Sequence, residues 1–337
     1  MKKLPTIHRL WIGLLFLAVA ASLPAAVESN TSRPNPDAGP TEVEMQFLLL
    51  DIDNVDSANQ TFTINFFYAA KWHDPRLVHD NKEALLVQLK DIWHPSLQIT
   101  NQQRLIRTLP EMAEVHPDGT VSMRQRVWGK LAQPFDLEDF PFDHQIFTIT
   151  MIAVGEKKGS VKLVKTKDGI ASMSNKFSLP DWKIISLDSQ VEYRSLFEGF
   201  PEADLFVVRI EASRYYEYYL VKVILPLVLI VMMSWIVFWI DPSQAGPQIG
   251  VATTSMLTLI AYRFAIAKDM PVVPYLTRID IFILGSTLAV FVTLNEAVIT
   301  AALTHNKKSQ LAHRIDYIFR FIMPPVFVTI MYIALVR

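Results

Sequence analysis

Residues Pro247 to Pro271 read PQIGVATTSMLTLIAYRFAIAKDMP. The stretch is long enough to cross a bilayer as a helix, yet too polar for one that faces lipid. Gly250, Thr254, Leu257, Ala261, Phe264 and Lys268 recur at steps of four and three, so they share one helical face. Thr253, Ser255 and Thr258 are placed beside that face. Two readings compete. Either the face lines an aqueous pore, or the helix is buried in a polytopic protein and its hydroxyls bond to neighbouring helices.

Three further apolar stretches flank it, at about 218–240 with Pro226, 279–303 with Glu296, and 315–336 with Pro324-Pro325. With 247–270 they make four spans of near the roughly 20 residues a bilayer needs. Pro226 is expected to bend the first span, because its ring meets the carbonyl four residues back. Tyr215, Tyr216, Tyr218 and Tyr219 crowd the start of that span, where amphipathic rings favour the interface. Lys307, Lys308, His313 and Arg314 sit in the short loop before the fourth span, as the positive-inside rule asks of a cytoplasmic loop. Arg263 falls off the polar face and is expected to snorkel or to pair between subunits. Glu296 is an intramembrane acid, and a structural hydrogen bond between helices is its favoured role over a functional one.

The other half of the chain is different. Over 337 residues the composition is 51% hydrophobic and 19% charged, with a net charge of −1, which fits one water-exposed domain joined to one membrane domain. Near-neutral charge gives no electrostatic case for nucleic acid as a partner. The absence of cysteine excludes disulfides and thiolate metal sites. Lys2 and Lys3, the apolar run Leu10 to Ala21 and the small residues Ser22 to Ala26 have the layout of a secretory signal peptide, expected over 1–26. A flexible leader, 27–40, follows.

From 41 to 213 the dominant period is two, as in Thr61-Phe62-Thr63-Ile64-Asn65-Phe66 and Phe147-Thr148-Ile149-Thr150-Met151. Such alternation predicts strands with one wet and one buried face. Turn signals stand at Asp53-Asn54, Pro117-Asp118-Gly119, Lys167-Asp168-Gly169 and Gly199-Phe200-Pro201. About ten short strands in a β-sandwich are expected, with helix only locally, around Asn81 to Leu89. No Ser/His/Asp order, metal-ligand cluster or phosphate-cradling glycine loop stands out, so the reading is not of an enzyme and calls for no cofactor or metal.

Pro134 to Ile146 reads PFDLEDFPFDHQI, with Gln133 and Phe147 at its ends. Here the sequence resembles the pentameric ligand-gated ion channels, the family that includes the Cys-loop receptors. Phe140, Pro141, Asp143 and Gln145 match the core of the family's signature loop, and Gln133 and Phe147 stand where its cysteines would be. Loss of both is a habit of bacterial members, whose loop is held by packing. Asn59-Gln60, Trp72-x-Asp74-x-Arg76-Leu77, Trp93-x-Pro95 with Asn101, Ser213-Arg214 before Pro226, and Pro271-x-x-Pro274-Tyr275 resemble further family marks in the right order.

The resemblance implies an extracytoplasmic all-β, immunoglobulin-like sandwich at 41–213 and a four-helix transmembrane domain at 214–337. Five identical subunits would surround a central pore. Gly250, Thr254, Leu257, Ala261 and Phe264 would line it, with Leu257 and Phe264 as apolar constrictions. It implies an agonist pocket between sandwiches with Phe67 on one side and Tyr193, Phe197 and Phe200 on the other. The family's loop A and loop B aromatics are replaced by Thr100 and a position near Val154, so the box is incomplete. Asp56, Asp143, Arg214 and Pro274 would couple the halves, with an Asp143–Arg214 ion pair as a strut. A small-molecule agonist or protons would open the pore, the latter through His73, His79, His94, His116 or above all His144. The inner mouth at Gly246, Pro247 and Gln248 lacks the family's charged ring; cations are favoured as permeant ions because oriented carbonyls attract them. The implied setting is a bacterial inner membrane, with the sandwich and the carboxyl end periplasmic. A membrane-anchored, non-conducting receptor is the alternative.

Overall fold

The computed structural model describes residues 30–336 except 155–156, 158 and 167–170. The expected signal peptide, the first leader residues and the Lys167-Asp168-Gly169 turn lie outside the described residues.

Alternating residues from Thr41 to Arg214 build two sheets that face each other. The larger has eight strands. β1 (Thr41–Asp56), β2 (Thr61–His73) and β7 (Thr120–Ala132) form its antiparallel centre. β10 (Ala171–Met173) and β9 (Val161–Lys165) run parallel to β1, β6 (Met112–Val115) and β5 (Gln102–Arg107) pair with β7, and β3 (Leu85–Gln88) pairs with β6. The smaller sheet runs β11 (Trp182–Ser195), β12 (Glu202–Arg214), β8 (His144–Val154), β4 (Ser96–Ile99). Phe62, Ile64 and Phe66 of β2 and Phe147, Ile149 and Met151 of β8 are all within 1% of full burial. They meet between the layers, with Phe62 and Phe147 ring centroids 5.1 Å apart. Each fully buried side chain of this size contributes roughly 1.5–3 kcal/mol, so this interlayer row anchors the sandwich.

Three local expectations are corrected. Residues Asn81 to Leu89 form no α-helix: Leu85 and Val87 face inward and Leu86 is exposed, the period-two pattern of β3, which ends in a 3-10 turn at Leu89–Asp91. Asp53-Asn54 is a bulge inside β1, where the register with β2 shifts between Ile52 and Asn54; the extra residue bends the strand without ending it. The strands also number twelve among the described residues, several of them long rather than short.

Four helices follow, at Glu217–Trp239, Ala245–Ile266, Arg278–His305 and Ser309–Leu335, each long and apolar enough to cross a membrane. Thr277 caps the third, accepting from the Asp280 N–H, while the Asp280 carboxylate accepts from the Thr277 N–H, a reciprocal capping box. Gly285 lets the third and fourth helices approach closely: a Cβ there would stand 2.3 Å from Ile330 Cγ2. Pro226 is absorbed by a π-helical turn at Leu220–Ile224 just ahead of it. That turn accommodates the missing N–H, as inserted residues in helices do.

Candidate functional site: the domain junction and the second-helix face

The sandwich meets the helices around Arg214, the last residue of β12. Its Nε donates to Asp143 Oδ1 at 2.6 Å and its Nη2 to Asp143 Oδ2 at 3.1 Å, with both side chains more than nine-tenths buried. The guanidinium also lies over Trp182, at 4.2 Å, and Phe140, at 4.9 Å. A bidentate pair between aromatic faces is a geometry that only arginine supplies. Nη2 further reaches Ser57 Oγ at 3.4 Å in the β1–β2 turn.

The Pro134–Ile146 loop is tied at both ends. Gln133 Nε2 donates to the Ile146 carbonyl at 2.6 Å and Gln133 Oε1 accepts from the Thr148 N–H at 2.7 Å. Phe147 is fully buried and packs against Phe62, Phe135 and Trp182. The expectation of packing alone is thus corrected: one glutamine amide spans the gap with two hydrogen bonds, and Gln60 Oε1 adds a third from the Phe135 N–H at 2.5 Å. Gln133→Ala should destabilise the protein by about 1–2 kcal/mol, since it strands the partly buried Thr148 N–H and removes the bond to the exposed Ile146 carbonyl. Thermal unfolding of the purified variant measures this, and an unchanged midpoint would refute the clamp.

Toward the helices, the Tyr275 hydroxyl accepts from the Leu137 N–H at 2.9 Å. Arg278 N donates to Glu138 O at 3.0 Å, and Arg278 Nε to Asp139 Oδ1 at 2.7 Å. Phe140 meets Tyr219 edge-on at 4.9 Å and Phe142 lies tilted against Tyr216 at 5.3 Å. One loop therefore touches the first helix and the link between the second and third. Among the described residues Asp56 makes no hydrogen bond to the helices: both its oxygens accept from Asn59, which holds its carboxyl below the usual value. Pro274 is exposed, and the contact in its link is made by Tyr275.

On the second helix Gly250, Thr254, Leu257, Ala261 and Phe264 form one exposed stripe, with Leu257 62% and Phe264 78% exposed. The opposite face, Gln248, Ala252, Ser255, Leu259 and Ile266, is buried against the bundle. Ser255 therefore belongs to the buried face, contrary to its expected place beside the stripe; it lies two residues, or about 200° of helix, from Leu257. Thr254 donates to Gly250 O at 2.8 Å, Thr258 to Thr254 O at 2.8 Å and Ser255 to Val251 O at 2.9 Å. These hydroxyls are turned onto their own helix and bond no neighbouring one, so they give the buried-helix reading no support.

A neurotransmitter-gated ion-channel ligand binding domain model matches residues 28–205, and a neurotransmitter-gated ion-channel transmembrane region model matches residues 223–315. The chain belongs to the neurotransmitter-gated ion-channel family. It is a ligand-gated ion channel and a multi-pass membrane protein.

In this channel the aromatics implicated by sequence fall on two separate faces of one subunit. Phe67 opens onto a cavity of ≈ 380 Å³ on the eight-stranded sheet. Tyr193 and Phe200 line one of ≈ 500 Å³ at the β11–β12 hairpin, together with Val154. Phe197 stacks edge-on against Phe200 at 5.9 Å, and all three hairpin aromatics are about 60% exposed. Thr100 does not line that cavity. Of the histidines, His144 is exposed, whereas burial pushes the His94 imidazole below its ordinary value in a cavity it shares with Tyr68, Arg107 and Glu111.

Sequence reasoning missed Tyr262. Pro226 frees the carbonyl of Lys222, four residues back, and the Tyr262 hydroxyl donates to it at 2.8 Å and lies 3.0 Å from Val223 O. The first helix is thereby tied to the second beside Ala261. A proline and a tyrosine 36 positions apart carry no sequence signal of contact. Tyr262→Phe should cost about 1–3 kcal/mol by stranding a carbonyl in the bilayer. A denaturation midpoint equal to that of the parent channel would remove this tie.

The inner mouth carries Gly246 and Pro247, both exposed, while Gln248 is fully buried and accepts from Thr300 Oγ1 at 3.4 Å. Asp241, in the loop before the helix, is exposed, and the Ser243 hydroxyl and N–H hold its carboxyl below its usual value. Glu296 lies 2% exposed beside Asp316 of the fourth helix, 3% exposed. Among the described residues no amide, hydroxyl or cationic side chain donates to either Glu296 oxygen; its partner across the helix interface is the Asp316 carboxyl.

Proposed function

We propose that five copies of the chain surround an ion pathway lined by Gly250, Thr254, Leu257, Ala261 and Phe264. The observation that carries this reading is the exposed stripe on the second helix. Glycine, threonine and alanine along this stripe offer lipid little apolar area and leave the second lone pairs of the threonine oxygens open, so water or ions suit it as a neighbour better than acyl chains do. Leu257 and Phe264 form two apolar constrictions, and dewetting at them closes the pore.

The permeant ions are cations. Asp241 supplies five carboxylates near the inner mouth in place of the missing ring, and no basic side chain stands at Gly246, Pro247 or Gln248. Agonist binds between sandwiches, with Phe67 of one subunit facing Tyr193, Phe197 and Phe200 of the next. The exposed hairpin aromatics and the half-buried Phe67 on a separate sheet support that arrangement, because each gains most when the other covers it. The signal travels through the Pro134–Ile146 loop, Asp143, Arg214 and the Pro274–Tyr275 link to the pore helix. Asp56 shapes the adjacent turn. The channel sits in a bacterial inner membrane with its sandwich in the periplasm. Protons act as a secondary modulator through the half-buried His94.

Recording from the purified chain in planar bilayers, across a pH series and a ligand panel, tests the whole reading. Cation-selective currents are expected. Silence under every condition, from protein shown to be pentameric, would overturn it.

A further inference from the structure

Two acids from neighbouring helices face each other without a cation between them. Glu296 of the third helix is 2% exposed and Asp316 of the fourth 3%, and each carboxyl is the other's partner across the interface. Among the described residues no donor reaches either oxygen of Glu296 or Oδ1 of Asp316. Arg320, one turn beyond Asp316, is turned elsewhere. Its Nη2 donates to the Phe238 carbonyl at 2.6 Å, its guanidinium carbon lies 5.0 Å from the Trp239 ring centroid, and its Nε reaches no acceptor among the described residues. On its other side Glu296 opens onto a cavity of ≈ 430 Å³ walled by Phe291, Ile299, Ile315 and Phe319. Asn295 also lines that cavity, but its amide donates to the Phe291 carbonyl at 2.8 Å.

Two carboxyls in contact do not both ionise in such surroundings, because each has lost its water and each would repel the other. One proton shared between them removes the repulsion and makes a charge-assisted O–H···O⁻ bond, stronger than a neutral one. The charges around the pair decide where that proton sits. Asp316 has His313 and Arg320 of its own helix within electrostatic reach, and Asp241 of the loop before the second helix. Glu296 has only Asp316. The second helix brings the neutral Gln248, bonded to Thr300 one turn from Glu296 at 3.4 Å, and the first brings the Phe238 carbonyl. Glu296 is therefore the donor, and Asp316, with cations near it, the acceptor.

We infer that Glu296 and Asp316 hold one proton between them at neutral pH, and that this proton latches the fourth helix to the third. A rise in pH passes the proton to solvent, leaves two adjacent carboxylates and loosens the fourth helix. The stabilisation is complete at low pH and lost as the proton leaves. The latch stands whether or not the chain conducts. Infrared spectra of the purified full-length protein in an ester-free detergent read the proton directly. At about pH 7 the parent should show a protonated-carboxyl band that Glu296→Gln lacks, because the new amide donates to an ionised Asp316 without needing a proton. Thermal unfolding reads the latch. The midpoint of Glu296→Gln relative to the parent should rise by about 2 °C or more between about pH 5 and about pH 9, since only the parent loses its donor. A parent without the band, a band unchanged in Glu296→Gln, or a midpoint difference that does not grow with pH would each overturn the inference. If Glu296→Gln does not fold, the double variant Glu296→Gln, Asp316→Asn, whose two amides bond each other without charge, takes its place with the same expected results.

Discussion

Arg214→Gln is expected to yield a channel that does not gate, and in most conditions one that does not assemble. The substitution removes the positive partner of Asp143, whose side chain is 1% exposed. A buried carboxylate left without its guanidinium costs about 3–5 kcal/mol, a large share of the roughly 5–15 kcal/mol that holds a domain together. The same side chain packs on Trp182 and Phe140 and bonds Ser57, so its loss loosens the β1–β2 turn, the Pro134–Ile146 loop and the start of the first helix at once. Glutamine can replace one hydrogen bond but neither the charge nor the stacking. Size-exclusion profiles and ligand-evoked currents measure the outcome. A pentameric, normally gating Arg214→Gln channel would show that the pair is dispensable and that the signal crosses elsewhere. Arg214→Lys separates the causes: it keeps the charge and loses the fork, so assembly should return before gating does.

Leu257→Ala carries the second large effect, with the opposite sign. The side chain is 62% exposed in a single subunit, and trimming it removes little from the packed core. In the proposed ring of five the change would widen and wet the level at Leu257. With closure by dewetting there, as proposed, the open state should gain about ten-fold or more in relative population, about 1.4 kcal/mol. The expected record is leak without ligand, or a response at much lower ligand concentration. A silent variant with normal folding would place the gate elsewhere, with Phe264 as the next level to test. Together the two variants distinguish a transmission defect from a pore defect, because only the first should be rescued by the second.

Much of this architecture can be read from local pattern. Period-two alternation in β2 and β8 is a short-range property, whereas Leu205 to Val208 of β12 are all buried and show no such alternation. The second helix is legible for the same reason: steps of three and four place Gly250, Thr254, Leu257, Ala261 and Phe264 together whatever surrounds them. Local pattern fails where two readings share it. Asp53-Asn54 has turn chemistry but sits in a bulge, because pairing with β2 continues on both sides of it. Asn81 to Leu89 was ambiguous over so few residues, and pairing of β3 with β6 decided it.

The proposed coupling site divides along the same line. The sequence by itself determined that four spans follow a β domain and that a polar stripe runs along the second of them, while the pairing of Asp143 with Arg214 was implied by the family resemblance. Only the tertiary structure decided that Gln133 spans the ends of the Pro134–Ile146 loop, that Tyr262 satisfies the carbonyl freed by Pro226, and that Arg126 already lies over Phe67. Those three contacts join residues 13 or more positions apart through hydrogen bonds or charge. Their strength depends on distance and angle, which periodicity does not encode.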